Sequence, residues 1–428
     1  MSVNVSSEPN VWSPSRKAFT VFVICYAFLY MFPRPFSEIP GLDVIFSVYT
    51  KPLEIATLWF GKTILGITTL EKIAITGSGD TTFDYVNLLF IFLLSIIATI
   101  IILLVTKKKN FQSWFQVTWV YARYYVGLFL ILYGVIKFFN GQFQPTHIAR
   151  LEQTYGESSP MGLLWTFMGH SKAYTFFGGF IEFVAGVLLL FRRTTIAGAL
   201  MGFGVMLNVA AMNFCYDVPV KLFSSHLVLL SIFIVSPYLG SLYRFFFKQE
   251  VLQLKIESLI FKKKWQHITH KVSKIGLIVL CSLAIVLMIV QVNSTPENAV
   301  YANSFNGSYE VKTFVKNGDT IPPLMTDTLR WNKVLMEEGN IVIKTVKGRG
   351  NYYAVKTDTI ANQLIITSYK DSTKIFKLNY KRLPNEELLV KGKWESDTLE
   401  LLWKQKKKNE YELNNRGFHW INEYPFNR

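Results

Sequence analysis

Apolar stretches long enough to cross a membrane are the feature that most restricts the fold of this chain. An α-helix rises about 1.5 Å per residue, so roughly 20 apolar residues cross a hydrocarbon layer about 30 Å thick. Clear spanning helices are predicted at residues 85–106, 117–139, 173–191, 195–215, 222–239 and 276–292. A seventh apolar stretch, residues 18–32, is shorter than this length. The span it forms is extended if the side-chain stems of Arg16 and Lys17 reach towards the interface. We therefore predict an integral membrane helical bundle of about seven spans.

Composition and charge agree with burial in a bilayer. Hydrophobic residues make up 50% of the chain and charged residues 17%, less charge than soluble chains carry. The net charge of +16 does not indicate nucleic-acid binding, because Lys and Arg cluster beside the apolar stretches, where such residues orient spans. With the N-terminus in the cytoplasm, fifteen of these basic residues lie inside and seven outside. We predict that orientation, an extracytoplasmic C-terminal domain, and the lipid bilayer as a partner.

Two further segments have the composition of helices that lie on a membrane surface. Residues 53–69 are apolar but interrupted by Lys62, which favours an interfacial helix anchored by Trp59 and Phe60. Residues 243–274 mix aromatic, aliphatic and basic side chains. This pattern predicts a cytoplasmic interfacial helix held by anionic lipid.

After Gln291 the pattern changes to short runs in which apolar and polar residues alternate, as in β-strands. The runs are 309–314, 341–346, 352–356, 363–367, 374–380, 388–392, 399–403 and 411–413. Turn residues such as Asn317-Gly318 and Gly348 separate several of them. About eight antiparallel strands predict an all-β domain, either a small barrel or a sandwich. The aromatic-rich segment 416–428 is expected to pack across one end of it.

The sequence lacks the usual motifs for binding metals and nucleotides. The three cysteines, Cys25, Cys215 and Cys281, have no paired spacing, so no disulfide framework or metal site is predicted. No phosphate-binding loop, zinc-protease motif or nucleophile elbow occurs in the sequence.

Polar residues inside the predicted spans therefore carry most of the functional information. An ionisable side chain in a span costs several kcal/mol unless it is paired or wetted. Glu182 lies midway along its helix, and Gly178, Ala185 and Gly186 are placed on its face. Since small residues mark a face turned towards other helices, Glu182 is predicted to point into the bundle.

Other polar residues fall at a similar depth in the neighbouring spans and in the turn that joins two of them. They are Lys137, Asn208, Asn213, Cys215, Asp217 and His226. We predict an outward-opening pocket in which Glu182 and His226 exchange protons while the others shape the site. Some of these residues also have a simpler interpretation: Lys137, like Lys221, extends to the surface, Asn208 bonds a neighbouring helix, and His226 is merely packed. Arg123, near the inner end of its span, is interpreted as reaching to the interface.

The segments 133–139, 178–186 and 191–198 resemble the DoxX/DoxD-like family of bacterial membrane proteins. The shared features are Gly134-x-x-Lys137, then Glu182 among glycines, then Gly198 in a Gly-rich helix. The resemblance covers residues 117–239 and implies a DoxX-like four-helix core in a bacterial inner membrane. Residues 1–116 then form N-terminal spans and an interfacial segment, 240–293 the basic helix and last span, and 294–428 the outer β domain.

DoxD-type relatives form part of a thiosulfate:quinone oxidoreductase, so the resemblance implies quinone as the ligand and a redox protein partner. The first hypothesis is a quinone-interacting oxidoreductase subunit. The second is a non-enzymatic scaffold whose β domain binds an envelope partner, since no haem, flavin or iron–sulfur motif occurs. A third is transport of a small solute through the bundle.

Overall fold

The structure, a computed structural model, describes residues 11–34, 36–38, 42–72, 77–139, 141–250, eight positions between 264 and 286, 305–324, 326–337, 339–348 and 350–426. The chain forms two compact units. The first combines Met1–Gln142 with Ala173–Val286, and the second combines Phe143–Lys172 with Leu287–Arg428. Most of the predicted span 276–292, and of the basic segment beyond residue 250, lies outside the described residues.

Ten helices are described before the β domain begins. They are α1 Pro14–Met31, α2 Leu42–Trp59, α3 Thr82–Val105, α4 Gln112–Phe138, α5 Ile148–Leu151, α6 Pro160–His170, α7 Lys172–Leu190, α8 Thr195–Cys215, α9 Lys221–Val235 and α10 Leu239–Lys248. Within the described residues, α3, α4, α7, α8 and the continuous stretch Lys221–Lys248 are long and apolar enough to cross a membrane. This confirms the membrane helical class. The candidate at 18–32 forms α1, which begins with Arg16 and Lys17 in its first turns and is not among those five.

The local sequence explains where these helices begin. Ser13 accepts a hydrogen bond from the Arg16 amide and Pro14 follows it, a favourable start for α1. Thr81 and Asp84 bond each other's backbone amides in a capping box that starts α3. Much of α3 is exposed, including Ile97, Ile100 and Leu104. Such an apolar outer surface is what contact with lipid requires.

The interfacial prediction at 53–69 was partly wrong. The region continues α2 into a π-helical turn, Phe60–Ile64, and Trp59 is exposed as expected of an anchor. Phe60 is instead buried in a small cluster with Leu70, Phe83 and Val86. It packs against protein and is not available to the membrane surface.

The C-terminal β domain is a closed antiparallel barrel. Its strands are β1 Gly307–Lys316, β2 Asp319–Thr320, β3 Trp331–Glu337, β4 Asn340–Thr345, β5 Gly350–Asp358, β6 Gln363–Ser368, β7 Ile375–Arg382, β8 Glu387–Trp394 and β9 Asp397–Lys406. Consecutive strands from β3 to β9 pair with each other, β1 pairs with β3, and β9 closes onto β1. The short β2 only extends the hairpin from β1. Eight strands therefore enclose one core, which confirms the barrel alternative over the sandwich.

Seven of the eight predicted runs are barrel strands, and the eighth was wrong. Residues 411–413 lead into a helical turn, Glu412–Asn415. The strand that was missed is β3, whose register shifts between Trp331 and Lys333. Such a bulge breaks the alternation by which strands are recognised. The prediction for the C-terminal segment was also wrong, because Phe418, Trp420 and Tyr424 are exposed.

The second unit also contains the loop between α4 and α7, which packs onto the barrel. Ile148 joins Leu335 and Val342 in a buried apolar contact. The Glu337 carboxylate accepts hydrogen bonds from the Ile148 amide at 2.7 Å and from Lys408 at 3.0 Å. Glu152, largely buried, binds Lys333 and the Tyr411 hydroxyl. We call this set of contacts the loop clasp.

The loop clasp should weaken in acid. Burial alone would raise the pKa of Glu152 and of Glu337, but hydrogen bonds from Lys333 and Tyr411, and from His147, Ile148 and Lys408, hold both pKa values below the ordinary 4.5. A carboxyl group with a depressed pKa stabilises the folded state fully above its unfolded pKa and loses that contribution as pH falls through the folded value.

Protection of the Ile148 amide, measured by hydrogen exchange and corrected for intrinsic rates, should fall about tenfold or more between about pH 6 and pH 3. Glu337→Gln should show low protection at both values, whereas Glu310→Gln, at an exposed ion pair, should behave as wild type. Protection that is constant with pH in the wild-type protein would contradict the clasp.

Candidate functional site

The side chain of Glu182 lies inside the helical unit and forms an ion pair with Lys137. Glu182 is 3% exposed and Lys137 7%. The Lys137 Nζ donates to both carboxylate oxygens, at 2.7 and 2.5 Å. Lys137 therefore does not extend to the surface. Glu182 points into the bundle, as its helical face predicts. With both oxygens bound to the same ammonium group, each charge is balanced by the other.

Glycines bring α4 and α7 close enough for this pair to form. A Cβ atom on Gly134 would lie 2.6 Å from the Gly179 carbonyl oxygen, and one on Gly186 would lie 2.6 Å from the Gly127 carbonyl oxygen. Close backbone approach through small residues is the usual way in which membrane helices pack. Gly178, expected on the packed face, has open space around it, so the contact is made by its neighbour Gly179.

His226 lies at a different place, between α9 and α1. The ring is 5% exposed and stacks on Tyr30, with centroids 3.9 Å apart and planes at 11°. Its Nδ1 is 2.6 Å from the Leu222 carbonyl oxygen, which can only accept, so we assign the proton to Nδ1. Nε2 then accepts from the Tyr26 hydroxyl at 2.7 Å. We call His226, Tyr26 and Tyr30 the His–Tyr cluster.

The structure does not bring the remaining predicted residues into one pocket. Asn213 is buried and donates to the Ser224 hydroxyl at 3.0 Å, a contact between α8 and α9. Asn208 and Cys215 are exposed on α8, and Asp217 is exposed and paired with Lys221 at 2.8 Å. Glu182 and His226, the two proposed catalytic residues, are not hydrogen-bonded to each other and have separate sets of partners within the described part of the chain. The described residues therefore do not form a single pocket that contains all of these side chains.

Arg123 was interpreted wrongly from the sequence. It is 1% exposed and does not reach the surface. Its guanidinium lies over the rings of Trp119 and Tyr124, 5.6 and 4.9 Å from their centroids. The aromatic residues that surround Arg123 in the sequence were the available signal, because such side chains hold a buried guanidinium through cation–π contacts.

The two polar centres differ in what they can do chemically. The carboxylate of the Lys137–Glu182 pair already accepts two hydrogen bonds from an ammonium group, which suits a structural role. In the His–Tyr cluster, a half-buried phenol stands in front of a buried imidazole that can accept its proton. Within the described residues, no group of three or more His, Cys, Asp or Glu side chains is placed to hold a metal ion.

Comparison with known proteins adds one relative. The chain is 31% identical over 113 residues to the uncharacterized protein YwoB of Bacillus subtilis (strain 168), which covers 26% of this chain and 71% of the relative. No family model matches the chain. No solved structure matches it either.

Proposed function

This chain belongs to the same family as the Bacillus subtilis protein YwoB, and we propose that its membrane unit binds the headgroup of a quinol or quinone at the His–Tyr cluster. The protein would then act as the quinone-interacting subunit of a bacterial inner-membrane oxidoreductase. The resemblance of residues 117–239 to the DoxX/DoxD-like family supports a role near the quinone pool.

The observation that carries this proposal is the hydrogen bond from Tyr26 to a buried imidazole between membrane helices. Because the Tyr26 hydroxyl donates to His226, its oxygen retains lone pairs that accept from the hydroxyl of a quinol. Tyr26 is only half-buried, so a flat headgroup can approach it from outside the bundle. Phe92 packs edge-on against Tyr26 and adds an apolar wall.

The chemistry that follows is removal of a proton from the quinol. Tyr26 passes its own proton to Nε2 of His226 and takes up the proton of the quinol hydroxyl that is hydrogen-bonded to it. The Leu222 carbonyl fixes the tautomer that leaves Nε2 free to accept. The second quinol proton is released to water, and the two electrons leave to a redox protein partner, which is the oxidant that this proposal requires. Lys137 and Glu182 hold α4 against α7 and take no proton in this scheme.

Binding and oxidation of a short-chain quinol by the purified protein test the proposal. Tyr26→Phe removes only the hydroxyl and should weaken binding of a short-chain quinol about 3- to 10-fold, the usual worth of one hydrogen bond. His226→Phe removes the proton acceptor and should lower quinol oxidation by a partner acceptor at least about 100-fold. Tyr243→Phe, at an exposed tyrosine of α10, is the matched control and should change neither. Wild-type binding and turnover in both Tyr26→Phe and His226→Phe would remove the proposal.

The alternative is a non-enzymatic scaffold, and the loop clasp favours it. The clasp holds the barrel to a loop of the membrane protein, and the exposed Phe418, Trp420 and Tyr424 give the second unit an aromatic surface for an envelope partner. A chain ending before residue 294 separates the two functions. The quinone subunit keeps its quinol binding in that chain, whereas the scaffold loses its partner.

A further inference from the structure

Arg123 is a buried cation whose positive charge is not balanced by the described residues around it. Among the described residues, no carboxylate forms an ion pair with its guanidinium. Nη1 donates weakly to the Thr195 hydroxyl, at 3.4 Å, and the buried Nε has no hydrogen-bond partner. Arg192 lies three residues before the first residue of α8 and adds a second positive charge. A buried cation without an anion is costly, so this arrangement needs a negative group.

One nitrogen of the guanidinium, Nη1, contacts the first residue of a long helix. Thr195 is the first residue of α8, and Thr194 at the N-cap makes no side-chain capping bond. The Thr194 hydroxyl donates instead to the Leu188 carbonyl at 2.7 Å, so it does not occupy the amides of the first turn. The first amides of a helix carry partial positive charge and point outwards, which suits an anion. Arg192 and Arg193, both exposed, precede this helix start in the α7–α8 turn.

We propose that Arg123, Arg192 and the uncapped start of α8 form a binding site for a phosphate-bearing anion. A guanidinium forms charge-assisted hydrogen bonds with phosphate oxygens, and the helix start supplies further donors. The rings of Trp119 and Tyr124 hold the guanidinium in position. The shared chemistry is a phosphate group, whether carried by the headgroup of an anionic lipid or free in solution. This site is separate from the His–Tyr cluster and does not depend on the quinone proposal.

Native mass spectrometry of the full-length protein, titrated with defined lipids, tests the site. Phosphatidylglycerol should bind wild-type protein more tightly than phosphatidylcholine. Arg192→Gln, at an exposed residue with little risk to folding, should reduce that preference about tenfold, because it removes one charged hydrogen bond. Arg123→Gln should abolish the preference. Lys248→Gln, an exposed basic residue at the end of α10, is the matched control and should keep it.

A second arm identifies the source of the phosphate. Millimolar inorganic phosphate that competes with phosphatidylglycerol, with a competition lost in Arg192→Gln, supports the site with free phosphate as a ligand. Competition that fails while the lipid preference depends on Arg192 supports a lipid headgroup. Equal binding of the two lipids to wild-type protein, or equal losses in Arg192→Gln and Lys248→Gln, would overturn the proposal. The positive charge of Arg123 would then be stabilised by its aromatic contacts alone.

Discussion

Glu182→Gln should destabilise the membrane unit by about 3–5 kcal/mol, because it leaves the Lys137 ammonium buried between helices without a counter-charge. Lys137→Met should have a similar cost, since it leaves the carboxylate unpaired. The pair is 3% and 7% exposed, so neither group can recover its lost interaction from solvent. Thermal unfolding in detergent, followed through tryptophan fluorescence, measures the loss in each variant.

The double variant Lys137→Met/Glu182→Leu distinguishes a coupled pair from two independent residues. Replacing both charges with apolar side chains of similar volume removes the penalty along with the attraction. We therefore expect the double variant to recover most of the stability that either single variant loses. Single variants as stable as wild type, or a double variant whose loss is the sum of the two, would contradict the structural role of the pair.

Gly179→Ala should destabilise the same unit by about 1–3 kcal/mol or more, because the added methyl group meets backbone and cannot be accommodated by a rotamer change. Its Cβ would lie 2.7 Å from the Gly134 carbonyl oxygen and 2.7 Å from the Lys137 Cβ. The substitution would thus push α7 from α4 at the level of the ion pair.

The adjacent glycine provides a matched control. Gly178 has no atom within 4 Å of the position that a Cβ would take. Gly178→Ala should be neutral or stabilising by up to about 1 kcal/mol, since alanine favours a helix over glycine. The same unfolding assay compares the two variants. Equal stability in Gly178→Ala and Gly179→Ala would show that α4 and α7 are not in backbone contact.

These two glycines show what a sequence pattern can and cannot predict here. Hydropathy located the spans because lipid imposes length and apolarity on every spanning helix, and α8 was predicted to the residue. The helical repeat also directed Glu182 inwards. It did not distinguish Gly178 from Gly179. Adjacent residues are only about 100° apart around a helix, and the packed face of a helix covers at least that angle.

Which residues meet at each polar centre depends on contacts between helices, and these cannot be read from the sequence. Tyr26 and His226 are 200 residues apart, so their hydrogen bond requires knowledge of which helices are neighbours. Asn208 and Cys215 were placed in the pocket from their depth in the membrane, yet the rotation of α8 turns them outwards. Barrel strands were recognised by alternation, and β3 was missed where a bulge disrupts it.

In the proposed function, the His–Tyr cluster binds the quinone headgroup, whereas the Lys137–Glu182 pair only holds helices together. Mass spectrometry of lipids extracted from purified variants tests it most directly. We expect Lys137→Met/Glu182→Leu to retain quinone as the wild-type protein does, and Tyr26→Phe and His226→Phe to retain several-fold less. Loss of quinone from the double variant, with retention in His226→Phe, would place the headgroup at the ion pair instead.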